Sequence, residues 1–508
     1  MKNLLLASAA LMMAPAAMAH SGHSEDTDTT LERVGTEYMV MQSSANEAAA
    51  QPFLRGLALL HNFEYDFAAE EFRRAQAADP AFVMAYWGEA MSHNHSLWDD
   101  QDRDAALAAL GKLGATAADR AARARNPQEA RWLAAVETLY GAGTKEERDL
   151  AYMADMRAML ASYPDDIDVR AFTGLAILAS SHGGRQLPIY MDAAGVLEAG
   201  FMTHEMHPGI LHYLIHSYDD PVHAPLGRRM AARYSVVAPD AGHAQHMVSH
   251  IFHALADWEA TEKANINADA VVDRQREASG RGPSSCGHYN EWLAYSLLQQ
   301  GKDASGLIAE CRVQAEAQIA GGARNQLGSG PVASYSGMAM WNGVATGDWA
   351  EPLDGIGDGF LLARFDFAYS RLLAGAARPA NVTAALADMK ALAGQIDAAL
   401  TQESPYDTWI RPWMERQLAQ GDALLAIAQG RTDEGIDMLR AASRAESATP
   451  VVYGPPPVGK PGWEILGEHL AASGRHAEAA AAFREALAFA PGRKLSIDGL
   501  ERAQASMR

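Results

Sequence analysis

The stretch that decides the fold runs from Trp463 to Pro491 and reads WEILGEHLAASGRHAEAAAAFREALAFAP. Trp463, Leu466, Gly467, Ala479, Phe483, Ala486 and Pro491 set large against small side chains at helical spacing. The small residues let two antiparallel helices approach, the large ones fill the space between them, and the proline ends the second helix. The same order recurs near the start of the chain at Gly56, Ala68, Phe72, Ala75 and Pro80. A helix–turn–helix repeat of about 34 residues is expected at both ends. Between them alanine is abundant, alternating β-branched runs are scarce, and Gly or Asp-Pro breaks follow apolar periodic segments. An all-α chain is expected, one continuous α-solenoid of antiparallel helix pairs.

Outward from that repeat, Thr449–Gly462 (TPVVYGPPPVGKPG) is too rich in proline to be helical and is read as a stiff loop. The organisation is therefore a solenoid over 51–448, a proline-rich loop over 449–462, and a terminal repeat with its cap over 463–508. Helices are expected near 208–218 and 240–255, over 286–300 and 303–319, and from Tyr335 to Thr346 followed by Trp349 to Leu362. At the other end Lys2, the apolar run Leu4–Met13 and Ala17-Met18-Ala19 read as a signal peptide over 1–19. Residues 20–50 read as an acidic, mostly flexible leader in which His20 and His23 stand close together. An exported, periplasmic chain is expected, not integral to a membrane, since no later run reaches about 18 apolar residues.

The formal charge of -21 argues against nucleic acid and anionic lipid as partners. There are 2 cysteines. Cys286 is read as opening a helix and Cys311 as lying in its antiparallel partner. Counted from the turn at Gly301 their registers differ by about five residues, or roughly 7.5 Å at 1.5 Å per residue. An oxidising compartment favours a bridge and the register opposes it, so an unbridged pair is expected.

Chemistry concentrates between His204 and His253, where nine of the 18 histidines fall. His212 and His216 are four apart, as are His246 and His250, which puts each pair on one helix face. His243, His246, His250 and His253 form a single stripe, and His288 lies near the start of the next first helix. If successive first helices lie side by side, about 8–10 Å apart, these imidazoles meet in the concave groove. His207, His212, His216, His243, His246, His250 and His288 are the candidate metal ligands. Asp219, Asp220, Glu205 and Asp240 flank them as outer acceptors or oxygen ligands. Zinc is expected before copper, since imidazole suits both. The H-E-x-x-H protease motif, phosphate loops and serine or cysteine nucleophile motifs are missing from the sequence. Two other readings stay open. One is a metal-dependent hydrolytic or oxidative enzyme using the same residues. The other is a metal-free scaffold whose histidines hold the groove in shape for a small molecule, peptide or protein partner. Tyr453 in the proline-rich loop is expected to fold back over the cluster.

Four segments carry a family resemblance: residues 67–98 (FAAEEFRRAQAADPAFVMAYWGEAMSHNHSLW), 207–226 (HPGILHYLIHSYDDPVHAPL), 243–258 (HAQHMVSHIFHALADW) and 451–470 (VVYGPPPVGKPGWEILGEHL). With them the chain resembles a family of bacterial exported tetratricopeptide (TPR)-repeat proteins. The motifs H-P-G-x-x-H-Y-x-I-H and H-x-x-H-M-x-S-H-I-F are its specific part, because ordinary TPR units lack them. The resemblance implies a TPR-like solenoid and a site at these histidines, and it implies no reaction. His204 and His253 lie outside the shared pattern.

Overall fold

The computed structural model describes residues 31–322, 327–376, 378–400, 407–450 and 452–508. The signal-peptide reading and His20 and His23 lie outside them. Among the described residues the only strands are β1 (Asn94–His95) and β2 (Asp100–Gln101), a short antiparallel ladder. Everything else regular is helical. The chain begins α1 (Glu47–His61), α2 (Tyr65–Ala78), α3 (Val83–Met91), α4 (Arg103–Leu113), α5 (Ala117–Ala121), α6 (Pro127–Leu139) and α7 (Lys145–Ser162). The central part is α8 (Ile167–Ala179), α9 (Leu187–Phe201), α10 (Pro208–Tyr218), α11 (Ala224–Val237), α12 (Gly242–Ala254) and α13 (Trp258–Ala278). Then come α14 (His288–Gln299), α15 (Ser305–Ala320), α16 (Pro331–Thr346), α17 (Leu361–Ala374), α18 (Pro379–Ala399) and α19 (Asp407–Ala428). The chain closes with α20 (Thr432–Ser447), α21 (Gly462–Ala472), α22 (His476–Phe489) and α23 (Lys494–Ala505).

Each helix packs mainly on its sequence neighbours, and first helices of successive units also touch, as α8, α10 and α12 do. That is an all-α, TPR-like solenoid. The large-against-small order works as the spacing predicts. A Cβ at Gly88 would sit 2.3 Å from Phe72 Cε1, and one at Gly56 3.0 Å from the same atom, so Phe72 fills a gap that only glycine leaves. Phe483 is held likewise between Gly467 and Gly499, where added Cβ atoms would come within 2.8 and 2.4 Å. Helix starts are fixed by side chains that accept orphan amides: Asp166 from Asp168 and Val169, Thr144 and Glu147 in a capping box, and Asp257 from Ala260.

The chain departs from its sequence reading at three places. Residues 31–46 are not a loose leader. Leu31, Val34, Met39 and Met41 are buried, and Arg33 Nη2 donates to Asp240 Oδ1 at 2.8 Å. Residues 349–360 are not helical. Gly347 ends α16 in the left-handed region (φ 80°), and Pro352, Gly355 (φ 74°) and Gly357 (φ 59°) keep the next segment irregular. Trp349 instead fills the hollow at Gly343, where a Cβ would lie 2.3 Å from its Cε3. Finally, Cys286 and Cys311 are bridged, with Cα atoms 4.9 Å apart. Cys286 does not open a helix. It precedes α14 by two residues, beyond the break at Gly287 (φ 125°), so helical rise does not set its register.

The superhelix closes on its own middle. Trp258 Nε1 donates to Gly492 O at 3.1 Å, Arg493 Nη1 to the Tyr295 hydroxyl at 3.1 Å, and Lys494 N to Gln299 Oε1 at 3.0 Å. On the other side the turn after α1 reaches the centre through Asn62, whose amide donates to Val34 O and accepts from the Tyr234 hydroxyl. The pair α10 and α12 is thereby enclosed. No helix among the described residues is long and apolar enough to cross a membrane.

Candidate metal centre

His212 and His216 lie on α10, and His243, His246, His250 and His253 on α12, with the two helices in contact. His288 arrives at the first position of α14. The imidazoles separate into two trios, His212/His216/His243 and His246/His250/His288. Within each trio one ligand atom per residue lies within 4.8 Å of the others. The trios are neighbours, with ring centroids 5.6 Å apart between His216 and His250 and 6.3 Å between His243 and His246. His212, His216, His246 and His250 are thus brought together, divided between two adjacent groups that His216 and His250 join through Asp219.

Hydrogen bonds from outside fix the ring nitrogens of the second trio. His246 Nδ1 lies 2.7 Å from Asn265 Oδ1, and the Asn265 amide nitrogen donates to Thr261 O at 2.8 Å, which orients the amide. His250 Nδ1 lies 3.0 Å from Asp219 Oδ2. Burial alone would raise the Asp219 carboxyl. Arg185, with the nearby His216 and the hydrogen-bonded His250, instead holds it well below the usual range, so it is a carboxylate and only accepts. Arg185 Nη1 pairs with Asp219 Oδ1, and its Nη2 donates to Asp220 Oδ2 at 3.0 Å. Both Nδ1 atoms thus carry the hydrogen, and both Nε2 atoms present a bare lone pair. Those two Nε2 atoms are 3.1 Å apart. Between neutral rings this is not a hydrogen bond; a proton or a cation must lie between them. Burial, and then the neighbouring imidazoles, depress the His246 pKa well below its ordinary value, which disfavours the proton. An outer hydrogen bond on Nδ1 with Nε2 free is the arrangement of histidines that ligate a metal.

The first trio is seated on the turn that follows α1. His212 Nδ1 lies 2.6 Å from His61 O, a carbonyl that only accepts, so its Nε2 is bare and sits 3.2 Å from His243 Nε2. His216 Nε2 is buried with no hydrogen-bond partner. The Phe63 ring covers all three imidazoles, at 4.3 Å from His212, 5.5 Å from His243 and 6.1 Å from His216. Phe63 holds a left-handed backbone (φ 59°), a strained choice for an aromatic residue.

His207, a candidate ligand from its motif, is not in either trio. It joins His61 and Asp168. Ile210 N donates to His207 Nδ1 at 3.3 Å, capping α10, so the ring hydrogen is on Nε2 and points to Asp168 Oδ1 at 3.2 Å. A ring that caps through Nδ1 cannot also offer Nε2 to a metal as neutral imidazole, which makes this group a hydrogen-bonded one. The acidic flanks divide too. Asp219 meets the cluster, and Asp220 meets His223 Nδ1 at 2.8 Å. Glu205 and Asp240 pair with Arg233 and Arg33 outside it. His253 packs against Trp292, Trp258 and Tyr295, and His204 Nδ1 meets the Thr203 hydroxyl. Elsewhere Asp99, Asp149 and His182 come together, but Lys145 Nζ sits 3.3 Å from Asp99 and 2.5 Å from Asp149. Hydrogen bonds to Asp149 and Asp99 raise His182 to about 9, so an ammonium and an imidazolium already balance those carboxylates.

The site is closed. His246 and His212 are 0% exposed and His250 is 3% exposed, whereas His288 is at the exposed rim. The His250 ring is sandwiched between Trp292, at 4.7 Å, and Tyr453, at 4.8 Å. The proline-rich loop thus folds over the cluster. His61, Phe63, Arg185 and Asn265 escaped the sequence reading. None is part of a local motif, and only the winding of the solenoid brings them to α10 and α12.

No family model matches the chain, and no curated protein matches it. Solved structures similar to it include the crystal structure of the APC/C hetero-tetramer Cut9-Hcn1, at 10% identity and a TM-score of 0.36, covering 92% of this chain and 79% of that one. The crystal structure of the yeast Tom70 has 10% identity and a TM-score of 0.32, with coverage of 91% and 89%. The P58(IPK) TPR domain has 13% identity and a TM-score of 0.24, with coverage of 90% and 98%. At these values the likeness says nothing about activity or partners.

Proposed function

We propose that this helical-repeat protein holds a transition-metal ion, zinc before copper, at His246, His250 and His288. The observation that carries this is the pair of Nε2 lone pairs 3.1 Å apart, each bared by an outer bond on Nδ1. His246 and His250 would be the anchoring donors, and His288 would complete the set from the rim. Three neutral imidazoles leave a zinc ion its positive charge and a fourth position, which is how zinc polarises a bound water or carbonyl. Burial under Tyr453 and Trp292 favours a held ion over turnover of a large substrate. Export to an oxidising compartment belongs to the same reading, supported by the Cys286–Cys311 bridge and by the character of residues 1–19. Elemental analysis of untagged full-length protein, dialysed against zinc-buffered solution, tests it. The wild type is expected to retain zinc, and His246→Ala with His250→Ala to lose at least one equivalent while keeping its helical circular dichroism. A wild type that retains none sinks the reading.

A further inference from the structure

We infer that the chain binds a second transition-metal ion at His212, His216 and His243, beside the first. The inference rests on the metal reading of the neighbouring trio but stands on different atoms. The His212–His243 contact alone does not demand an ion, because His243 Nε2–H can donate to the bare His212 Nε2. His216 is what remains. Its side chain is 5% exposed, its Nε2 has no partner, and its Nδ1 faces Asp219 Oδ2 at 3.6 Å. Burying an imidazole nitrogen without a partner is unfavourable, and a metal shared with His212 and His243 removes that cost.

The turn His61–Glu64 is shaped for this trio. His61 O takes the His212 Nδ1 hydrogen, Glu64 Oε1 accepts from His243 N at 3.3 Å, and Phe63, strained at φ 59°, lies across the three rings. A strained aromatic that excludes water from three convergent nitrogens suits a desolvated ion. Every donor is a neutral imidazole, so the ligand is a borderline or soft cation such as zinc or copper and not magnesium or calcium. Asp219 borders both trios through His216 and His250. Arg185 compensates its charge, so two adjacent cations repel, and the second binds more weakly than the first.

Zinc titration of the full-length protein, read by elemental analysis, tests the inference. About two equivalents are expected in the wild type, taken up in two resolved steps, and about one in either His216→Ala/His243→Ala or His246→Ala/His250→Ala. Because buried-histidine variants can unfold, crystals of the zinc-loaded wild type supply a second measurement. Anomalous scattering should then show one peak within each trio. A single equivalent with a single peak among His246, His250 and His288 overturns the second site and leaves the first standing. No bound zinc overturns both.

Discussion

His246 and His207 show how a single hydrogen bond decides what an imidazole can do. Asn265 takes the Nδ1 hydrogen of His246 and leaves Nε2 to ligate, whereas Ile210 N donates to Nδ1 of His207 and commits Nε2 to Asp168. Asn265 touches no other member of the trio through a hydrogen bond, so its role is separable from the ligands themselves. Asn265→Ala is expected to keep the fold and weaken zinc affinity roughly 10–100-fold, the usual cost of losing an outer partner. Competition with a chromogenic chelator measures this, and an unchanged affinity would show that Asn265 does not hold the ring. The histidines were legible because H-x-x-x-H is a local pattern. Asn265 was not, since an asparagine inside a polar second helix looks like any solvated one. Only the packing of α13 on α12 buries it.

At the scale of elements, the loop after α20 seats itself by shape. Gly454 has φ 92°, and a Cβ there would lie 2.5 Å from Trp292 Cζ2. Gly454→Ala therefore meets both backbone strain and a clash, and about 1–3 kcal/mol of loop seating is expected to be lost. Zinc should then exchange faster with little change in content at equilibrium, as stopped-flow chelation would read. Tyr453→Phe keeps the ring over His250 and should change neither. The bridge between Cys286 and Cys311 is a second element-scale device, spanning 25 residues from the lead-in of α14 to the middle of α15. A loop of that length is worth about 3 kcal/mol of unfolded-state entropy. Reduction should lower the urea midpoint and add two hydrogens to the mass; an unchanged mass would mean that no bridge was present. Helix α10 was legible to the residue, over 208–218, because Pro208 opens it and the apolar period holds throughout. The segment 349–360 was not, since Trp349 reads as a helix start until Gly343 shows the hollow it fills.

The whole molecule encloses a set of neutral imidazoles, and acid should find them. Burial lowers His61 from 6.5 to about 4, and lowers His212, His243 and His246 well below 6.5. Above pH 6.5 these rings are neutral in both states. As pH falls below 6.5 the unfolded chain takes up protons that the folded chain refuses, so stability is lost down to the folded pKa. For His61 alone that is about 3 kcal/mol by pH 4. Glu64, in the same turn, works the other way. Burial raises it from 4.5 to about 7, so it contributes stability at low pH that is lost as pH rises through 7. The two shifts are of similar size and nearly cancel. Asp366 and Glu446, which burial raises to about 7, likewise offset His253 and His288, which burial lowers to about 3, so the surplus of His212, His243 and His246 over Asp269, raised to about 6, sets the sign. The urea midpoint is therefore expected to fall between pH 7.5 and pH 5. The fall should be steeper for zinc-loaded protein, where each released ion hands its ligands back to protons. A midpoint that stays level or rises toward pH 5 in both forms would mean that the central imidazoles are not held neutral, and the lone pairs between His246 and His250 would then be bridged by a proton.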